Sequence, residues 1–445
     1  VTKILAEFIA NTGFNKFSKN VIEHAKICFL DWLGAALVGI KEKPAKIALS
    51  FIRDVNGRKE SSIVGLNVKT SCINAALVNG VAGHCVELDD IHEEAIIHPA
   101  APVIPAALAV GEKENIDGKT LLTSIILGYE VEIRVSKAIN PSHYNFWHPT
   151  GTCGCFGSAV AVGKILGLNL KKMVYTFGIA GTQASGLIEV FGSMSKPFNA
   201  GKAAVNGIIA AMLAKRGFDS SQTIFEAEKG FCRATAEKVN LNRVIKNLGE
   251  NFEILNNIFK RYASCGHTHA AIDAILKISE EHNIKPSDVD KIVVKTYPIA
   301  VKVVGKNFNP KTPLEAKFSL PYCIAAALVY GKVGLDEFSR RKLKNLRIRK
   351  IMEKISIKTA PKYAEVKLGS AEVIVCTKKG KKYSCQVDKP KGYPENPLTI
   401  KELEEKFTML AGKTFSEEKI REIIRMVRRL DKLRNIKDLT SLLSK

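Results

Sequence analysis

The chain has 445 residues, 46% of them hydrophobic and 25% charged, and carries a net charge of +23 at neutral pH. That length exceeds the ~250–300 residues at which a single core stops growing, so at least two domains are expected. The composition is that of a globular protein rather than a disordered one, and no apolar run reaches the roughly 18–20 residues that a membrane span needs.

The opening VTKILAEFIANTGF lacks the basic, apolar and small-residue order of a secretory leader. A soluble, cytoplasmic protein is expected. Residues 1–258 then read as successive helices of a large helical domain. The positions Ile22, Ile27, Leu30, Leu33 and Leu37 recur at helical spacing, and 121–138, 157–166 and 200–213 follow the same rule. Several of these helices are apolar nearly all round, which implies burial among other helices. From 259 to 392 the pattern changes to that of an α+β domain. DKIVVKTYP (290–298) and ISIK (355–358) are strand-like, and AEVIVCT, KKGKK and YSCQV form a hairpin signature with Gly380 in its turn. Helices are expected at 270–280 and 321–329. The Pro- and Gly-rich KPKGYPENPLT (389–399) reads as a linker, and 393–445 returns to the helical domain. There, Thr399 with Glu402 and Thr414 with Glu417 each have capping-box spacing. The fold class is thus mainly α, a large all-helical domain with a smaller α+β domain inserted.

The positive charge does not point to nucleic acid. Basic residues are interleaved with acids, as in EEKIREIIRMVRRLDKLR, aromatics are only 7%, and no nucleic-acid motif occurs. A lysine-rich solvated surface explains the excess, and an anionic small substrate would benefit from its field. The ten cysteines are scattered without a CxxC pair, which suits small buried thiols in a reduced compartment.

Titratable residues gather in five places. Of nine histidines, His84, His92 and His98, then His148, then His267 and His269 lie beside Gly, Pro or acids, and histidine titrates near neutrality. In ELDDIHEEAIIHPAAPVIPAAL (87–108), Pro99 and Pro102 mark a helix start just after His98. The positive end of that helix favours a neutral imidazole and attracts anions. Glu87, Asp89 and Asp90 cannot all be buried as ions without partners, so some are candidates to accept a proton and others to orient. In FWHPTGTCGCFGSAV (146–160), the backbone around Thr150 and Gly151, after His148, could hold a carboxylate or phosphate. In GSMSKPFNAGKAAVNG (192–207), Lys196 enters a helix and is either a surface charge or a counter-ion for a carboxylate. In YASCGHTHAAIDA (262–274), His267 and His269 fall at the expected domain junction, a favoured place for ligands. In EAKFSLPYCIAAAL (315–328), Lys317 and Tyr322 precede a buried helix. His84 with Glu87, or His267, His269 and Cys265, could ligate a metal, but neither HExxH nor paired CxxC is present. No GxSxG elbow, GxGxxG or GxxxxGK[ST] occurs, so neither a serine hydrolase nor a nucleotide cofactor is supported.

Taken in order, HCVELDDIHEEAIIHPAAPVIPAALAVGE, WHPTGTCGCFGSAVAVGKILGL, GSMSKPFNAGKAAVNG, CGHTHAAIDAIL and EAKFSLPYC resemble the MmgE/PrpD family, over nearly the whole chain. The resemblance implies a helical domain built from both ends of the chain plus an α+β lid, a homodimer, and chemistry without metal or organic cofactor. It implies a site between the domains comprising Glu87, Ile91, His98, His148, Lys196, His269 and Tyr322, with Asp90, His267 and Lys317 nearby. The chain departs from the family at three positions. ELDDI stands where dehydratase and decarboxylase members have DFDDT, so Glu87 replaces Asp and Ile91 replaces Thr; Asn199 stands where many members have His.

The expected chemistry is the making and quenching of carbanion character beside a carboxylate. The first expectation is dehydration of a 2-methylcitrate-like hydroxy acid. His98, His148 and His269 would act as acid and base, Lys196 and Lys317 would hold carboxylates, and Tyr322 would donate to the leaving hydroxyl. Decarboxylation of cis-aconitate or epimerisation of an iminodisuccinate-like dicarboxylate are alternatives within the family, and a non-catalytic carboxylate-binding dimer is the alternative outside enzymes. The expected partner is a small di- or tricarboxylate, with neither nucleic acid nor membrane.

Overall fold

The computed structural model describes residues 1–364 and 369–444. The chain divides into two compact units, one of residues 1–257 with 399–445, the other of residues 258–398. The first is helical; the second is mixed, with most of the β-structure. The mainly-α class with a smaller α+β part is what periodicity led us to expect. Among the described residues no helix is long and apolar enough to cross a membrane.

The core of the helical unit is a set of almost wholly buried helices, Cys72–His84, Ala100–Glu114, Gly118–Ile139, Gly154–Ile165 and Ser195–Lys215. They are rich in Ala and Gly because their backbones nearly touch. A Cβ on Gly80 would lie 2.7 Å from the Cα of Gly201, and one on Gly201 would lie 2.6 Å from the Leu77 carbonyl oxygen. Neither position has room for a larger residue. This glycine crossing locks the Cys72–His84 helix against the Ser195–Lys215 helix, one turn from His84 at the end of the first and from Lys196 at the start of the second. The long helix Lys19–Gly39 packs on the same core and on the returning helix Ile400–Ala411.

In the α+β unit, four strands are ordered Ile355–Thr359, Val289–Thr296, Ala371–Thr377, Lys382–Val387. The first pair is parallel and the others antiparallel, with Ile292 opposite both Ile355 and Val375. Burial at Ile292, Val294 and Thr296 alternates with more exposed neighbours, as one covered sheet face requires. The helix His269–Glu281 packs against the last two strands. Gly380 takes φ 76° in the hairpin turn, a value that suits glycine.

One local expectation needs correction. Thr399 and Glu402 do form a capping box, but the helix after Thr414 starts later: Ser416 is the cap, accepting from the Lys419 N–H, and Glu417 is the first helical residue. Here serine at the cap leaves both Glu417 and Glu418 in the first turn, where the helix dipole favours acids. In the same unit the Glu94 carboxylate pairs with Lys137 at 2.9 Å and with Arg243.

Candidate active site

In the helical unit the segment after the Cys72–His84 helix turns sharply, with Glu87 at φ 58° and Ile96 at φ 54°. Left-handed conformations are uncommon outside glycine, and for a β-branched residue such as Ile96 they are an outlier. Such strain persists only where the surroundings over-determine it, and it concentrates at functional sites. At Glu87 the turn directs the carboxylate to Lys196: Oε1 lies 2.5 Å from Nζ, and both side chains are 3% exposed. Lys196 Nζ also lies 3.2 Å from Nε2 of His84 and 5.4 Å from the centre of the Phe191 ring. Its charge is therefore compensated from within the protein, a surface role is excluded, and any substrate carboxylate would share it with Glu87.

Behind Lys196 sits a carboxylate between two imidazoles. Asp89 Oδ2 is 2.7 Å from His84 Nδ1 and 3.4 Å from His98 Nδ1, while His98 Nδ1 is 2.9 Å from the Asp90 carbonyl oxygen. Burial alone would raise Asp89, but His84 and His98 hold its carboxyl well below the usual range. The donor atoms of His84, Asp89 and His98 fall within 4.8 Å of one another. A separation of 2.7 Å between two of them is, however, that of a charge-assisted hydrogen bond, shorter than the ~3.3 Å edge between two ligands of a tetrahedral ion with bonds of ~2 Å. Because His98 Nδ1 faces a carbonyl, it must carry the proton, which leaves Nε2 of a neutral His98 as the basic nitrogen. His98 keeps the most exposure of these imidazoles, 14% of its side chain.

His148 caps the short helix Pro149–Thr152. Its ring stacks on His84 at 5.8 Å and meets the Phe191 ring edge-on at 4.9 Å, and its Nδ1 is 3.3 Å from Asn199 Nδ2. Burial first, then the nearby Lys196, His84 and His98, hold His148 well below the ordinary imidazole value. These surroundings favour the neutral imidazole over the imidazolium.

Several other expected residues have well-defined partners. Asp90 is fully buried, and its carboxyl oxygens accept from the Ala100 N–H at 3.1 Å, the Tyr129 hydroxyl at 2.9 Å and Asn257 Nδ2 at 2.7 Å. Burial, then neighbouring Asp31, pushes that carboxyl well above its usual range. These bonds tie Asp90 to the helix that follows it and to Asn257. The glycines around 151 do not make an anion cradle, because the N–H groups of Gly151 and Thr152 both donate to the His148 carbonyl. Gly151 serves close packing instead: a Cβ there would lie 3.0 Å from Asn199 and from the Ser185 carbonyl oxygen. Thr150 is buried, and its hydroxyl accepts from the His98 N–H at 3.1 Å, so it positions His98. Ile91 is 7% exposed and offers no hydrogen bond where family members have a hydroxyl.

In the α+β unit, His267 lies in the turn Gly266–Thr268 with Nδ1 2.8 Å from the Tyr297 hydroxyl. Burial, then Lys260, lowers it to about 4. His269 starts the helix His269–Glu281 with Nε2 3.4 Å from the Ser264 carbonyl oxygen and its ring edge-on to Tyr262 at 5.2 Å. Lys317 ends the short helix Pro313–Lys317 and is 7% exposed. The Tyr322 hydroxyl donates to the Glu337 carbonyl at 2.6 Å, and the residue is fully buried.

Reading the sequence named Asp89 among three acids of the 87–108 segment and His84 as a ligand candidate with Glu87, but not the pairing of His84 with Asp89. The signal was present in a histidine ending one helix five residues before an acid, but neither spacing nor residue type distinguishes such a pair from a capping contact. Phe191 gave no signal at all.

A buried lysine–carboxylate pair surrounded by neutral or carboxylate-paired imidazoles is the equipment of proton transfer next to an anionic substrate. Comparison with known proteins assigns the chain to a family with such substrates. The MmgE/PrpD N-terminal domain matches residues 3–243 and the MmgE/PrpD C-terminal domain matches residues 262–432. The chain belongs to the MmgE/PrpD family. It is 28% identical to a cis-aconitate decarboxylase of Homo sapiens, with all of this chain and 94% of that protein covered. It is also 28% identical to a cis-aconitate decarboxylase of Aspergillus terreus, covering 96% of that protein, and 26% identical to one of Mus musculus, covering 93%; both comparisons span all of this chain.

Proposed function

We propose that this protein is a cofactor-independent lyase acting on a small tricarboxylate, and that the reaction is decarboxylation of cis-aconitate or a near analogue. The observation that carries the reaction type is the similarity, over the whole chain, to several proteins named cis-aconitate decarboxylase. This places decarboxylation ahead of the dehydration of a 2-methylcitrate-like acid that the family resemblance first brought forward.

The chemistry suits the residues. The bond from carbon to one carboxylate breaks, CO2 leaves, and its electron pair passes into the allylic system conjugated with a second carboxylate. A proton then quenches the carbanion. Lys196 supports the charge that develops, and His98 and His148 are the candidates to deliver or accept the proton. Glu87, one methylene longer than the family's Asp, keeps Lys196 paired, and Ile91 removes a hydrogen-bond donor. These two positions are where a preference between cis-aconitate and its near analogues would be set. A homodimer, as the resemblance implies, is the assembly we expect, and sedimentation tests it.

The deciding experiment incubates the purified protein with citrate, 2-methylcitrate, cis-aconitate and iminodisuccinate and follows each by 13C NMR. The expected result is CO2 release and a new alkene CH2 signal from cis-aconitate alone. Water loss from 2-methylcitrate without CO2 would replace decarboxylation by dehydration. Loss of optical rotation from iminodisuccinate without a new alkene would replace it by epimerisation, and turnover of none would leave a carboxylate-binding protein.

A further inference from the structure

Asp89 and His84 stand behind Lys196 as a second row. Both are fully buried. Asp89 Oδ2 meets the two imidazole Nδ1 atoms, and its other oxygen, Oδ1, is buried with no hydrogen-bond partner among the described residues. A buried carboxylate with so few partners depends strongly on the N–H it does receive. That demand fixes the proton of His84 on Nδ1 and leaves the Nε2 lone pair facing Lys196 Nζ at 3.2 Å. The opposite tautomer would set N–H against ammonium N–H at that distance and strip Asp89 of its 2.7 Å partner.

We propose that Asp89 and His84 are positioning residues, with Asp89 locking His84 in the Nδ1–H tautomer so that Nε2 accepts from Lys196 and aims the ammonium. Lys196 is then held by two acceptors of different kinds, the Glu87 carboxylate and the His84 lone pair. The Phe191 ring lies 5.4 Å from the same ammonium, and His148 stands nearby. The arrangement has the logic of an acid–imidazole–nucleophile chain in which the acid sets the tautomer and never touches substrate, here with a lysine as the group being aimed. The link to turnover rests on the lyase reading above; the tautomer itself does not.

The test has one arm that needs no substrate. Long-range 1H–15N correlation on histidine-labelled protein at pH ~7 reads the tautomer of each neutral imidazole, and His84→Gln identifies the His84 signals by their loss. The expected result is the Nδ1–H pattern for His84, lost or reversed in Asp89→Asn, whose amide can donate to Nδ1. An Nε2–H or imidazolium pattern in the native protein overturns the proposal. So does an unchanged His84 pattern in a folded Asp89→Asn. If that variant does not fold, the native pattern decides.

The second arm measures turnover of whichever carboxylate the native protein consumes. Asp89→Asn and His84→Leu should each lose about 10²–10³-fold. His84→Gln, whose amide can donate to Asp89 and accept from Lys196, should stay within about tenfold of native. Equal losses in His84→Gln and His84→Leu overturn the positioning role. If the native protein consumes no carboxylate, the lyase reading fails, and the spectroscopic arm still judges the tautomer lock.

Discussion

In the helical unit Lys196 and Glu87 accommodate burial as a charge pair, whereas in the α+β unit His267 and Tyr322 do so as neutral, hydrogen-bonded groups. In the first, Lys196 lies against Glu87 and Asp89 against His84 and His98. In the second, His267 is lowered to about 4 beside the Tyr297 hydroxyl, and Tyr322 gives its proton to a backbone carbonyl. Charged groups in a low-dielectric setting are strongly coupled, so removing one leaves its partner exposed to the full desolvation cost. Neutral hydrogen-bonded groups can be altered at the cost of about one hydrogen bond. The comparison teaches where electrostatic work is stored, and it can be broken by substitution.

The largest effect is expected at Lys196. Lys196→Met should destabilise the protein by about 3–5 kcal/mol, because Glu87 would remain buried without its cation. It should also lower turnover at least ~10³-fold if Lys196 stabilises developing charge. Urea unfolding and the NMR assay measure the two. A stability change under ~1 kcal/mol would mean that the pair is not the electrostatic centre of the unit.

Next come the histidines. His98→Ala should cut turnover by about 10²–10⁴-fold, the usual worth of a general acid or base, with an unchanged circular dichroism spectrum. His269→Ala should do the same if the α+β unit also contributes a proton-transfer group. Near-native turnover in His269→Ala would confine that chemistry to the helical unit, and near-native turnover in both would remove the site assignment.

How much of this could be read in advance depends on the physical level. The fold class followed from local signals: buried helices show Ala- and Gly-rich apolar runs, and the run AEVIVCT before KKGKK shows a hairpin. The candidate site was partly legible because His98, His148 and Lys196 each sit beside Pro at a helix entrance. Their partners were not. The contact between His84 and Lys196 is set by the Gly80–Gly201 crossing, a tertiary approach between positions more than a hundred residues apart. Whether an N–H near Gly151 is available to an anion depends on where the His148 carbonyl points. Tyr322 looked like a proton donor for the same reason: sequence shows its hydroxyl but not the Glu337 carbonyl that takes it.

Acid stability sharpens the comparison with a smaller effect. His143 in the helical unit and His267 in the α+β unit are each lowered to about 4, in both cases mainly by burial. Their unfolded value is ~6.5, so between these limits the unfolded chain binds more protons and stability rises with pH. The contribution is full above about pH 6.5 and is lost as pH falls toward 4. Asp89 behaves differently: its depressed carboxyl contributes stability that persists below that window and is lost only under ~3.9, as pH falls toward its folded value. Urea midpoints between pH 8 and 4 should therefore fall with acid, and His267→Gln should flatten part of that slope. An unchanged slope in both His267→Gln and His143→Gln would mean that neither histidine is held neutral by the fold.

The smallest effect is expected at Tyr322. Its ring packs against Phe338 at 5.7 Å, while its hydroxyl ends on the Glu337 carbonyl in a fully buried setting. Tyr322→Phe keeps the ring and deletes only that hydrogen bond, so the expected loss is about 1 kcal/mol, with turnover within a few fold of native. The carbonyl it leaves behind is what sets the upper end of that cost, since a buried acceptor without a donor costs ~1–3 kcal/mol. A loss of turnover beyond ~10²-fold with native stability would mean that the hydroxyl leaves Glu337 during the reaction and works on substrate. In that event the neutral half of the comparison would be describing a resting arrangement, and Tyr322 would regain the donor role its sequence position first suggested.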